Sequence, residues 1–253
     1  MEPILDVKNL TKTFITEGKH PFKALDQVSF QLYPGETLGI VGESGSGKST
    51  LAKAVTRLID VTEGSINLGG RDITHEKGRE LRRAYREIQM VFQSPVTSFD
   101  PRRTLGDGIG ESLRNSGLSK AETKEKVLHL LEECGLPAEF AARYPHEVSG
   151  GQCQRAAIAR ALAIKPQILI CDEATSALDV TVQQQIMELL EKLREEENLS
   201  YLFICHNLAL VQNFCDRLLV MYAGRIVEEG TPDEVIMHPK NAYTKKLIEA
   251  VFE

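Results

Sequence analysis

Hydrophobic and polar positions alternate early in the chain, most clearly at Val28, Phe30 and Leu32. This period of two predicts antiparallel strands over residues 4–32, around a turn-prone stretch at 16–21. Residues 37–41 (TLGIV) read as a strand whose short apolar run, 38–41, is of the kind that is buried on both faces. A glycine-rich loop follows at 42–47, and helix-forming residues follow at 49–58. The order is strand, loop, helix. Residues 105–162 are rich in helix formers and are interrupted at Gly117, Gly135 and Pro137, with Ser119 placed to cap the helix KAETKEKVLHLLEE. This region is expected to be a helical insertion. Apolar runs return at 168–171 and 201–205 on either side of an amphipathic stretch at 182–195, so strands and helices alternate as in a parallel sheet. The run LLVMY, the pair Ala223-Gly224 and RIVEEG then predict a hairpin, and the last twenty residues predict a short helical tail. No internal repeat or low-complexity tract interrupts this order.

The chain has 253 residues, enough for one large α/β domain with a small attached subdomain, and 42% hydrophobic with 26% charged residues is ordinary for a globular protein. Its longest apolar runs fall far below the roughly 20 residues that cross a bilayer. The opening MEPILDVKNL carries early acids and no basic region before an apolar one, so no signal peptide is predicted and a cytoplasmic location is expected. Five cysteines without a C-x-x-C pair predict reduced thiols rather than a zinc ribbon or disulfide framework. The net charge of -6, and the interruption of Arg79, Arg82, Arg83 and Arg86 by Glu80 and Glu87, suit a solvated helix face better than a nucleic-acid surface.

Three places carry chemistry. Residues Gly42, Glu43, Ser44, Gly45, Ser46, Gly47, Lys48 and Ser49 fit G-x-x-x-x-G-K-[ST] between a predicted strand and helix. In that context backbone N–H groups and the helix N-terminus converge on phosphate oxygens. Lys48 is then placed to reach the β and γ phosphates of a nucleotide, the Ser49 hydroxyl to meet Mg²⁺, and Thr50 to touch the α-phosphate region. The plain alternative is a glycine-rich turn that caps a helix. Asp172 and Glu173 end the apolar run 168–171 at the carboxyl edge of a parallel sheet. There Asp172 suits magnesium, directly or through water, and Glu173 suits orienting or deprotonating an attacking water. An acid pair in that position also serves as an ordinary helix start. The third place is Val148-Ser149-Gly150-Gly151-Gln152 ahead of QCQRAAIARAL. Small residues at a helix N-terminus make a second phosphate-binding edge there, or by themselves a simple N-cap.

In their order along the chain these motifs resemble the ATP-binding cassette family. The resemblance runs through the phosphate loop, Gln93 in MVFQSP, the signature (LSGGQ with Val148 for Leu), Asp172-Glu173, Ser176-Ala-Leu-Asp179 and His206. It implies an α/β fold: a P-loop NTPase, RecA-like core with an antiparallel β subdomain (1–92 and 165–229), a helical signature subdomain (93–164) and a short tail (230–253). It also implies ATP and Mg²⁺ as cofactors and a head-to-tail dimer, with itself or with a paralogous ATPase. In such a dimer Ser149, Gly150, Gly151 and Gln152 serve the partner's nucleotide and Asp179 aligns the two sites. Gln93 would contact Mg²⁺ and water, and His206 the γ-phosphate and attacking water. Phe14 would stack on adenine, with Phe22 as the rival and core packing as the plain alternative for Phe14. The further partners implied are two transmembrane permease subunits, which meet the segment 93–103, and an extracytoplasmic solute-binding protein. Together they place the chain at the cytoplasmic face of the membrane. Within the family, SPVTSFDPR and GRIVEEGTPDEVIMHPKNAYTKKL resemble the oligopeptide, dipeptide and nickel importer ATPases. The tail departs from their usual His-Pro-Tyr-Thr at Asn241-Ala242-Tyr243-Thr244, and its early end leans toward the nickel branch. The expected activity is ATP hydrolysis coupled to import. The rivals are a soluble cassette ATPase acting on nucleic acid or ribosomes, and a module that holds ATP without cutting it.

Overall fold

The structure, a computed structural model, describes residues 2–15, 20–175 and 178–252. The turn expected at 16–21 therefore lies mostly outside the described residues, as do Ser176 and Ala177. In chain order the elements are β1 (Leu5–Phe14), β2 (Phe22–Leu32), β3 (Thr37–Val41), α1 (Lys48–Val55), β4 (Glu63–Leu68), β5 (Arg71–Asp72), α2 (Gly78–Glu87), β6 (Ile88–Val91), α3 (Leu105–Asn115) and α4 (Lys120–Glu133). They continue with α5 (Gly150–Leu162), β7 (Ile168–Asp172), α6 (Val180–Glu197), β8 (Ser200–Ile204), α7 (Leu208–Phe214), β9 (Arg217–Tyr222), β10 (Arg225–Gly230), α8 (Pro232–Met237) and α9 (Ala242–Phe252).

Two sheets form. One has four antiparallel strands in the order β2-β1-β4-β5. The other has six in the order β10-β9-β3-β8-β7-β6, with β10 antiparallel to β9 and the remaining pairs parallel. The period of two in the parallel strands explains how the layers hold together. On β7, Ile168 and Ile170 pack toward α1 and the antiparallel sheet, whereas Leu169 and Cys171 join the core formed with α3, α5 and α6. Leu202 and Ile204 of β8 divide from Tyr201 and Phe203 in the same way. Every residue of β3, β7 and β8 is buried, which is why 38–41, 168–171 and 201–204 read as unbroken apolar runs rather than alternating ones.

The expected helical insertion is the trio α3, α4 and α5, and Ser119 caps α4 in a reciprocal capping box with Glu122. Helix α1 starts one residue earlier than expected and ends at Val55, because Arg57 turns into the left-handed region (φ 59°) and the Thr56 hydroxyl donates back to Ala52 O at 2.8 Å. The arginine cluster lies on α2, which buries only Ala84, as a solvated helix face requires. The elements β4 and β5 carry no expectation from the hydrophobic pattern, whereas the apolar MVF run ahead of Gln93 reads as the end of a strand, and β6 ends within it at Val91. β5 is two residues long, and β4 buries only Ile66 and Leu68.

Candidate active site

Val41 ends β3 at the carboxyl edge of the parallel sheet, and the chain then turns through the glycine-rich loop into α1. Two glycines are required there by space as well as by dihedral angle. At Gly42 (φ 150°) a Cβ would lie 2.2 Å from Met221 O, and at Gly47 (φ 108°) 2.6 Å from Ala24 O. The loop is drawn in around Lys48, whose Nζ donates to Gly42 O (2.7 Å) and Glu43 O (2.8 Å). Burial pushes the ammonium's pKa down, and the nearby Glu173 and Asp172 carboxylates oppose that shift.

Asp172 closes β7, which is separated from β3 by β8. The Ser49 hydroxyl donates to its Oδ1 at 3.0 Å across 123 residues of sequence. Burial raises the Asp172 pKa, the Ser49 bond works against the rise, and the charge of Glu173 adds to it. A buried carboxylate beside a hydroxyl at a helix N-terminus is a hard-oxygen donor pair, the set that suits Mg²⁺ with water completing its shell. Glu173 is held in the left-handed region (φ 49°), with its N–H donating to Ile204 O at 3.0 Å, so the chain turns sharply as it leaves the sheet. Its Oε2 accepts from Gln93 Nε2 at 2.5 Å. Gln93 leaves β6 two residues after the strand's last residue, Val91.

Two cavities meet over the loop. One, of about 370 Å³, is lined by Gly42, Glu43, Ser44, Lys48, Glu173 and His206, with Leu208 and Leu247 among the apolar walls. The other, of about 330 Å³, is lined by Ser44, Gly45, Gly47, Lys48, Ser49 and Thr50, together with Phe22, Ala24, Gln93 and Glu173. Tertiary structure thus brings the phosphate loop, Gln93, Glu173 and the exposed His206 to one place, with Asp172 bonded into it through Ser49. Ser46 is buried beneath the loop and its N–H donates to Glu43 O at 3.2 Å.

Ser149, Gly150, Gly151, Gln152 and Asp179 line neither cavity. They form a second group. Ser149 Oγ accepts from Gln152 N–H (3.3 Å) while Gln152 Oε1 accepts from Ser149 N–H (2.9 Å), which caps α5. Asp179 caps α6 by accepting from Val182 N–H at 3.0 Å. The two helix N-termini are close neighbours, since a Cβ on Gly151 would lie 2.4 Å from Val182 Cγ1. The signature is therefore an N-cap as well as a candidate phosphate edge, and the two readings are compatible.

Phe14 is 41% exposed at the end of β1 and pairs across the strands with Phe22, which is 62% exposed. Lys12 Nζ lies 5.0 Å from the Phe14 ring centroid. That exposure disfavours the core-packing alternative for Phe14, while Phe22 is the aromatic that lines the loop cavity. Motif reading misses Tyr243 and Leu247 of the tail. Tyr243 Oη accepts from Glu43 N–H at 2.9 Å, and Leu247 walls the cavity that holds His206. The sequence signal for them is the Tyr-Thr that this tail shares with the importer group.

The chain matches the family model described as ABC transporter over residues 25–176. It is 46% identical to the oligopeptide transport ATP-binding protein OppF of Salmonella typhimurium, covering 98% of this chain and 77% of that one. It is 45% identical to the dipeptide transport ATP-binding protein DppF of Lactococcus lactis subsp. cremoris, covering 98% and 81%. Among solved structures it is similar to the ATP-binding cassette MJ0796 in a dimeric post-hydrolysis state bound to ADP and Pi (TM-score 0.83, 32% identity, covering 90% of this chain and 98% of that one). It is also similar to cbiO1 of Clostridium perfringens, part of the ABC transporter complex cbiONQ (TM-score 0.81, 27% identity, covering 99% and 95%). With that family match, those relatives and an intact phosphate loop between β3 and α1, the chain belongs to the ABC transporter family as an ATPase of the cassette type.

Proposed function

We propose that this chain hydrolyses ATP to power an importer of oligopeptides or dipeptides. The observation that carries the chemistry is the convergence of Lys48, Gln93, Glu173 and His206 on one cleft beside the Ser49–Asp172 pair. The names of the 45–46% identical relatives favour a peptide cargo over nickel. In this reading the loop amides and Lys48 hold the phosphates, and Thr50 closes the loop toward the α-phosphate. Ser49 and Asp172 would hold Mg²⁺, whose charge offsets that of the phosphates. Glu173, aimed by Gln93, orients water and takes its proton at Oε2. His206, across the same cavity, steadies the γ-phosphate end. Phe14, with Phe22 beside it, supplies a flat face for adenine.

The second group, Ser149 to Gln152 with Asp179, then serves a nucleotide bound by another cassette in a head-to-tail pair, either a second copy or a paralogous ATPase. Hydrolysis that removes the shared γ-phosphate lets such a pair open. The core (1–92 and 165–229), the helical unit (93–164) and the tail (230–253) are the working parts of this reading.

Among the described residues no helix is long and apolar enough to cross a membrane, so association with the membrane rests on two permease subunits, with a solute-binding protein on the far side. The segment after Gln93 suits a permease contact. Phe99 is buried under Arg160, whose Nη2 donates to Ser98 Oγ at 3.0 Å, while Val96 is left 42% exposed. Purification of the tagged chain from its native membrane in mild detergent, with mass spectrometry of what accompanies it, tests the assignment. Two permeases and a solute-binding protein are expected. Recovery of ribosomes or nucleic acid with no integral membrane protein would refute the transport role and leave the ATPase.

A further inference from the structure

The tail is fastened to the sheet edge before it reaches the loop. On β10, Glu228 accepts from the N–H groups of Lys240 (2.7 Å) and Asn241 (3.0 Å). Asn241 in turn donates from Nδ2 to Val227 O (3.2 Å), and its Oδ1 accepts from Tyr243 N–H (2.8 Å), which fixes the first turn of α9. Held there, the Tyr243 ring packs at a tilt of 34° against Tyr222 at the end of β9, with centroids 4.2 Å apart, and its Oη takes the Glu43 N–H at 2.9 Å.

The position of that contact matters. Glu43 is an exposed loop residue, yet the peptide groups on both its sides are held: its N–H by Tyr243, and its C=O by Lys48 Nζ (2.8 Å) and Ser46 N–H (3.2 Å). The two carbonyls that hold the Lys48 ammonium, Gly42 O and Glu43 O, therefore flank the one amide that the tail anchors, and Gly42 O shares a peptide unit with it. One helical turn further on, Leu247 walls the same cavity as Lys48, Glu173 and His206.

We propose that Tyr243 is a positioning residue for the phosphate loop, and that the Asn241–Leu247 segment is a strut holding the loop ready for nucleotide. This inference rests on the reading of the loop as the ATP site. A preorganised loop loses less freedom on binding, so the strut acts on nucleotide affinity and leaves the chemical step alone.

The test is Tyr243→Phe in the full chain, which keeps the ring on Tyr222 and removes only the hydroxyl acceptor. Loss of one neutral hydrogen bond predicts a rise in Kd and KM for MgATP on the order of 2- to 12-fold. It also predicts unchanged kcat, an unchanged melting temperature and faster hydrogen exchange of the loop peptide that contains Glu43. Asn241→Ala, which removes the side-chain bonds to Val227 O and Tyr243 N–H and leaves the two backbone bonds to Glu228, should move KM and exchange in the same direction. Unchanged or tighter ATP affinity, or a fall in kcat at constant KM, would overturn the strut. Lys48→Ala separates the two levels. If it abolishes ATP binding while Tyr243→Phe changes neither affinity nor exchange, only the strut fails. If Lys48→Ala binds ATP normally, the loop reading itself fails, and exchange in Tyr243→Phe still decides whether the tail holds the loop.

Discussion

Replacing Glu173 by Gln separates catalysis from structure at one atom pair. The backbone at 173 stays in place without help from the side chain, because its N–H bonds Ile204 O at 3.0 Å and its left-handed φ of 49° strains Glu and Gln alike. The amide that replaces the carboxylate keeps an oxygen to accept from Gln93 Nε2, so the 2.5 Å contact has a successor. What disappears is a base and a negative charge. That charge opposes the burial effect on Lys48 and raises Asp172, two influences of opposite consequence, so the net change in stability should stay within about 0.5 kcal/mol. A positioned general base contributes about 10²- to 10⁴-fold, or about 3 to 5 kcal/mol of barrier. Phosphate release at saturating MgATP should fall by that factor, while ATP binding, followed by fluorescence of a nucleotide analogue, is retained and a dimer accumulates. Turnover within tenfold of wild type would refute the assignment of Glu173 as the base. A fall in turnover accompanied by a melting temperature several degrees lower would mean that the side chain holds the fold instead.

Three further outcomes follow from the same geometry. Asp172 has its pKa raised chiefly by burial, so above that value its ionised form costs stability. Asp172→Asn should therefore melt higher than wild type at neutral pH, with the advantage shrinking as pH falls and Asp172 takes up its proton, while magnesium-dependent turnover is lost. A lower melting point at neutral pH would contradict this. Phe14→Ala should weaken ATP binding on the order of 2- to 12-fold without changing the melting temperature. A larger loss from Phe22→Ala would assign the stacking face to Phe22, which lines the loop cavity. All five cysteines are buried, and burial pushes Cys134 and Cys171 up to about 12, Cys153 and Cys205 to about 11, and Cys215 likewise upward. No thiol should react with an aromatic disulfide reagent at pH 8 until the protein unfolds, and rapid labelling of the native chain would show an open path to one of them.

Where the determining interactions are local, the amino-acid sequence was sufficient. The β3–loop–α1 unit is legible because its steric demands fall on Gly42 and Gly47 inside an eight-residue motif. The buried strands β3, β7 and β8 are legible because cover on both faces leaves polar residues only at their ends, Thr37, Asp172 and Ser200. The Ser119 and Ser149 caps are likewise settled within four residues. The sequence pattern was silent on β5, since two residues cannot display a period, and on β4, where only part of one face is buried. Distance along the chain is what only the tertiary structure could bridge. Ser49 meets Asp172 across 123 residues, Gln93 meets Glu173 across 80, and Tyr243 meets Glu43 across 200. The first two pairs join segments at the carboxyl ends of different parallel strands of one sheet, and the third joins the loop after β3 to α9, which follows the antiparallel strand β10 and α8. Strand order there is chosen by burying both faces of the sheet at once, a condition on the whole core that no local run of residues can express.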